Sequence, residues 1–290
     1  MNELPSTASM PRFAPPPQLY FVTSAIFHYL GPAFAVLLFA RVEPLGVAWL
    51  RIASAALIFA AWRRPWHHFL QLTVAARWNI VGLGVVLGCM NACFYLAIDR
   101  LPLATVGAIE FLGPIALALA GLRTRRNTVA FALVVAGVWF LTHLRLAGTP
   151  LGFVFAFANC ALFTLYIVLG HRVANDAGGR ASDGLAAAML VALVVATLIG
   201  IRPALPALIS PWLLAAGIGV GVTSSVIPYV CDQLAMARLP RATFAMLLAL
   251  LPATACLVGA VVLHQLPSRA ETIGMALVAA GIAIHREARR

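Results

Sequence analysis

Residues Asn91–Thr105 read NACFYLAIDRLPLAT, and 138 positions further on residues Tyr229–Thr243 read YVCDQLAMARLPRAT. Eight of the fifteen aligned positions are identical, among them Cys93 and Cys231, Arg100 and Arg238, and Pro102 and Pro240. The register persists downstream, where Leu112-Gly113-Pro114 falls on Leu250-Leu251-Pro252. Proline is favoured in the first turn of any helix, which explains Pro102 and Pro240 alone. It does not explain the shared Cys, Leu-Ala and Arg-Leu ahead of them. The chain therefore reads as two copies of one unit.

The surrounding composition says what kind of unit. Of the 290 residues 62% are hydrophobic and only 10% charged, with a mean hydropathy of +0.96. A soluble domain is about 45–50% apolar and about 25% charged, so this chain could not cover its surface with polar groups. Its apolar runs fall at 19–40, 45–62, 79–98, 102–121, 127–144, 150–170, 184–201, 211–236, 241–263 and 270–285. Most approach or exceed the roughly 20 residues that cross a bilayer as a helix. They are apolar on nearly every side, unlike the strands of about 10 alternating residues in a membrane barrel. One offset of 138 covers five runs. Five is odd, so the second copy enters the membrane upside down, the plan of many secondary transporters. The expected fold is an all-α polytopic membrane protein with ten transmembrane helices in two inverted five-helix repeats. Its parts are a disordered tail (1–18), the first repeat (19–146) and the second (147–286). The tail carries Pro15-Pro16-Pro17 and lacks the basic start and apolar stretch of a signal peptide.

The net charge of +11 comes from 20 arginines and no lysine. They stand singly or in small groups between apolar runs, the pattern of membrane-flanking loops and not of a nucleic-acid surface. With a cytoplasmic N-terminus, one side holds fourteen: Arg12, Arg63, Arg64, Arg77, Arg123, Arg125, Arg126, Arg172, Arg180, Arg238, Arg241, Arg286, Arg289 and Arg290. The other side holds five: Arg41, Arg100, Arg145, Arg202 and Arg269. Basic residues favour the cytoplasmic side, so both termini are expected there. The five cysteines, Cys89, Cys93, Cys160, Cys231 and Cys256, all lie in apolar runs without a CxxC motif or a histidine cluster. No metal, disulfide or cofactor is expected.

Charges within a span are costly and mark function by default. Three stand there: Arg51, Glu110 and Asp232. At about 1.5 Å per residue, Arg51 lies about 9 Å, and Glu110 and Asn91 about 12 Å, from the outer ends of their spans, while His28 is about 14 Å along the first. The four share one layer. An Arg51–Glu110 pair would reduce the cost of burying both charges, as a helix pin or as part of a pathway for substrate and protons. Asp232 lies nearer the cytoplasm, where Arg238 is a candidate partner. Tyr95, Tyr166 and Tyr229 offer hydroxyls to a polar solute. Pro114 and Pro252 interrupt spans, so the carbonyls of Glu110 and Leu248 lose their helical donors. Gly82, Gly84, Gly88, Gly217, Gly219 and Gly221 are spaced for close helix contact. Trp62, Trp66, Trp78 and Trp212 stand near span ends as interfacial anchors.

Four stretches carry a family resemblance: LRIASAALIFAAWRRPW (50–66), GCMNACFYLAIDRLPLATVGAIEFLGPIALAL (88–119), VVAGVWFL (134–141) and SSVIPYVCDQLAMARLPRATFAMLLALLPA (224–253). They resemble the ten-span drug/metabolite transporter superfamily, EamA-like, and within it the bacterial threonine/homoserine exporters. The resemblance runs over about residues 20–285. It implies proton-driven export of small amino acids or related metabolites through the bacterial inner membrane, and it supports Arg51, Asn91, Tyr95, Glu110, Tyr166, Pro228, Tyr229 and Asp232 as functional positions, with Pro228 a third helix kink. Two positions depart: the family motif has glutamates where this chain has Leu251 and Gln265. The expected partners are a small solute, protons and lipid, with a homodimer left open. The runner-up is export of another small metabolite or drug. No nucleophile elbow, Walker motif or zinc-protease motif supports an enzyme, and the repeat argues against a non-transporting membrane protein.

Overall fold

A computed structural model describes residues 16–69, 72–110, 112–113, 124–143, 150–176, 181–236 and 251–284. Every regular element among the described residues is helical. In chain order these are α1 (Pro17–Leu38), α2 (Pro44–Arg63), α3 (Val74–Ile98), α4 (Leu103–Glu110), α5 (Arg125–His143), α6 (Pro150–Asp176), α7 (Ala181–Leu208), α8 (Pro211–Gly221), α9 (Ile227–Met236), α10 (Leu251–Val262) and α11 (Arg269–Ile284). A single turn, Trp66–Phe69, lies between α2 and α3, and a π-helical segment, Val222–Val226, carries α8 into α9 without a break. Among the described residues, six stretches are long and apolar enough to cross a membrane: Leu19–Leu38, Pro44–Arg63, Val74–Ile98, Pro150–Gly170, Ser182–Leu208 and Pro211–Cys231.

Helix ends follow local chemistry. Pro44 and Pro211 occupy first turns, where the missing N–H would have had no helical acceptor. Thr73 caps α3 by accepting from the Ala76 N–H at 3.3 Å. Ser268 and Glu271 accept from each other's backbone N–H at 3.2 and 2.7 Å, a capping box that starts α11. Arg64 ends α2 in the left-handed region at φ 47°. Of the expected tail, residues 1–15 lie outside the described residues. Helix α1 begins at Pro17, two positions ahead of the expected start, because proline fits a first turn.

Packing pairs α2 with α7, α3 with α6 and α7, α5 with α11, and α1 with α8, the π segment and α9. Glycines set several crossings. A Cβ on Gly84 would lie 2.5 Å from the Ala188 carbonyl oxygen, one on Gly88 2.9 Å from Val195, and one on Gly217 2.5 Å from Leu50. Gly82 and Gly219 correct the expectation: the first would meet only a Leu169 methyl at 3.7 Å, and the second nothing within 4 Å. Spacing along a helix does not tell which face meets a neighbour. Leu57, Val194, Leu198 and Val261 are each more than 60% exposed, as side chains that face lipid are. Trp62, Trp66, Trp78 and Trp212 are exposed near helix ends. Among the described residues, the buried apolar side chains form two clusters. One gathers around α1, α4, α10 and α11, the other around the second half of α2, the first half of α3, and α7. They meet on α2, where Leu50 belongs to the first and Ile52 to the second.

Candidate functional site

Arg51 stands at that boundary. Seven residues into α2, it lies about 10 Å along the helix, and its guanidinium reaches the π segment between α8 and α9. Nε donates to Ser225 Oγ at 3.0 Å, and Nη2 donates to the Ser224 carbonyl at 3.2 Å. The sequence explains the second bond. Pro228 has no N–H for the carbonyl four residues back, which is that of Ser224. The arginine supplies the missing donor, so the charge and the irregular helix satisfy each other. Single π turns recur at functional sites. The Ser224 backbone comes this close to α1 because Gly31 faces it; a Cβ there would lie 2.7 Å from both Cα and N of Ser224. Ser24 ties the same helices by donating to the Pro228 carbonyl at 3.3 Å.

The guanidinium also lies over the Tyr95 ring, 5.6 Å from its centroid. His28 is within electrostatic range of Arg51, and its ring meets Tyr29 edge-on at 5.2 Å. Tyr29 and Arg51 are both within electrostatic range of Glu110. Glu110, 6% exposed at the end of α4, accepts from Asn159 Nδ2 on α6 at 3.1 Å. Hence α1, α2, α3, α4, α6 and the π segment converge on one buried polar cluster.

The Arg51–Glu110 pair that their common depth left open does not form: each has hydrogen bonds to neutral groups, and no ion pair joins them. Equal depth fixes a level in the bundle but not a direction around each helix. Asn91 is also diverted. Its amide donates to the Ala48 carbonyl at 3.1 Å and ties α3 to α2. Tyr229 and Tyr166 pack against the second apolar cluster, Tyr229 6.4 Å from the Phe59 ring and Tyr166 stacked on Phe163 at 5.9 Å. Asp232 lies on α9, with its side chain and Arg238 outside what is described. Pro114 and Leu248 also fall outside the described residues, and Pro252 is the second residue of α10. Of the departures from the family motif, Leu251 is buried in the first cluster, and Gln265 Oε1 accepts from the Leu103 N–H at 3.3 Å. That N–H is one of the unpartnered donors at a helix start, so Gln265 caps the helix that bears Glu110.

Sequence reasoning missed Tyr29, Asn159, Ser224 and Ser225. A neutral polar residue in an apolar run does not stand out as a charge does. The available signal was Ser-Ser placed three and four residues before Pro228. Four buried polar atoms in this cluster have no hydrogen-bond partner: Tyr29 Oη, Tyr95 Oη, Asn159 Oδ1 and Ser224 Oγ. The Tyr95 hydroxyl lies beside Ser224 and Arg51 but in hydrogen-bonding geometry with neither. Leaving such a group unpaired costs roughly 1–3 kcal/mol, so each of the four calls for an explanation.

No family model matches the chain. The threonine/homoserine exporter RhtA of Salmonella typhimurium strain LT2 is 33% identical over 267 residues, covering 90% of this chain and 87% of that protein. The threonine/homoserine exporter RhtA of Escherichia coli K12 is 34% identical over 242 residues, 81% of this chain and 79% of that protein. A solved crystal structure superposes with a TM-score of 0.57 at 21% identity, covering 92% of this chain and 96% of its own, and bears on the fold alone. With all-helical architecture, membrane-length apolar helices and relatives matched over most of both lengths, the chain is a multi-pass membrane protein that belongs to the threonine/homoserine exporter family of the drug/metabolite transporter superfamily.

Proposed function

We propose that this chain exports threonine, homoserine or an amino acid of similar size across the bacterial inner membrane in exchange for protons. The carrying observation is that Arg51 and Glu110 share one buried cluster without pairing. Charges that serve only to pin helices gain most by direct contact. Two opposite charges held apart by neutral partners match a zwitterion, whose carboxylate meets Arg51 and whose ammonium meets Glu110. A proton and an ammonium compete for the same carboxylate. A carrier that reorients only with that carboxylate neutralised by one or the other exchanges them, which is antiport.

The same reading takes ten spans as two inverted repeats. Under the offset of 138, α1, α2, α3 and α5 fall on α6, α7, α8–α9 and α11. The pairings exchange accordingly: α3 packs on α6 as α8 and α9 pack on α1, and α3 on α7 as α8 on α2, while α2–α7 and α5–α11 map onto themselves. Rocking one repeat against the other would expose the site to each side in turn. Both termini are cytoplasmic in this arrangement. A fluorescent protein fused after Arg290 should fluoresce, and a phosphatase fused there should be inactive; the reverse pair of results would overturn the topology.

Overproduction should lower intracellular threonine and homoserine and raise tolerance to both. Leu251 and Gln265 in place of glutamates favour a second reading, export of a different small metabolite. Unchanged tolerance at confirmed expression would decide for it.

A further inference from the structure

Resting on the amino-acid reading, we infer that Tyr29, Asn159, Ser224 and Tyr95 complete the binding shell of a zwitterionic α-amino acid and sort it end for end. Each presents a buried polar atom without a partner. The four fall into two groups. Asn159 Nδ2 is engaged by Glu110, which leaves Oδ1, an acceptor only, in need of a donor. Tyr29 Oη comes up against α4 at Gly107, one turn before Glu110. A Cβ on Gly107 would sit 2.9 Å from this oxygen, so the absent side chain keeps room for the hydroxyl beside α4. Glu110, Asn159 Oδ1 and Tyr29 Oη thus gather three acceptor oxygens, the complement of an ammonium with three N–H donors. At the other end, Ser224 Oγ and Tyr95 Oη are hydroxyls beside Arg51. Two of the five guanidinium N–H groups bond Ser225 Oγ and the Ser224 carbonyl. The remaining donors and the two hydroxyls suit a carboxylate. A bound α-amino acid would give each of the four atoms a partner.

The test measures binding of three compounds to the purified full-length protein: threonine, 3-hydroxybutanoate, which lacks its ammonium, and 1-amino-2-propanol, which lacks its carboxylate. Tyr29→Phe and Asn159→Leu should each weaken threonine about tenfold and leave 3-hydroxybutanoate unchanged. Ser224→Ala and Tyr95→Phe should weaken threonine by a similar factor and leave 1-amino-2-propanol unchanged. The empty Tyr29→Phe protein should melt no lower than the wild type, because it loses an unpaired buried hydroxyl. Uniform losses across all three compounds, or a lowered melting temperature, would assign these residues to structure and overturn the inference. Threonine binding unchanged in all four variants would overturn it and leave the amino-acid reading standing. A wild-type protein that binds none of the three would remove that reading and the inference with it.

Discussion

Glu110→Gln is expected to abolish proton-coupled export while the protein remains folded and inserted. The carboxamide has the same size, and its oxygen can still accept from Asn159 Nδ2, as Glu110 Oε1 does at 3.1 Å. What disappears is the group that can hold either a proton or an ammonium. Removing one partner of a buried, hydrogen-bonded charge pair costs about 2–5 kcal/mol, so the rate at fixed substrate should fall at least about thirtyfold. Glu110→Asp keeps the charge one methylene further back and should retain part of the activity. Arg51→Ala should also fail, since it removes the charge proposed to meet the substrate carboxylate and leaves the Ser224 carbonyl without its donor. Rates in right-side-out vesicles under an imposed pH gradient decide this. Wild-type export by Glu110→Gln, with unchanged pH dependence, would reduce the carboxylate to a helix-packing partner and make Asp232 the next candidate.

Gly31→Val should be as damaging, through geometry alone. A Cβ there would lie 2.7 Å from Ser224 Cα and N. Both are backbone atoms in the segment that Arg51 holds in place, so no side chain can swing aside. Overpacking of this kind costs roughly 1–3 kcal/mol, and any relief moves the π segment off Arg51. The expected result is a lower melting temperature together with lost export. Gly219→Ala is the control, because a Cβ there meets nothing within 4 Å and alanine favours the helix. It should melt at or above the wild-type temperature and export normally. A Gly31→Val protein indistinguishable from that control would show that close approach of α1 to the π segment is dispensable.

Much of this was legible in the sequence. Runs 45–62 and 150–170 became α2 and α6 with starts matched to within one residue, because apolar length and first-turn prolines fix where helices begin, although α6 continues to Asp176. Arg51 and Glu110 were legible for a different reason: an ionisable group in an apolar run is conspicuous. Their partners were not. Residue spacing gave depth but not direction, so Asn91 was placed with Arg51 although its amide turns to Ala48. Ser224 and Ser225 look like ordinary small residues until Pro228 is read together with the arginine that replaces its missing donor. Asn159 and Tyr29 carry no charge and no spacing that marks them. Only the packing of α1, α4 and α6 brings them to the carboxylate.

The central claim is that an amino acid and a proton exchange at this one buried cluster. The most direct measurement places purified protein in liposomes with an internal pH indicator and an outward gradient of labelled threonine, at zero membrane potential. The account predicts threonine efflux coupled to acidification of the interior, with both signals absent in Glu110→Gln. Threonine efflux without proton entry, or coupled efflux undiminished in Glu110→Gln, would contradict it.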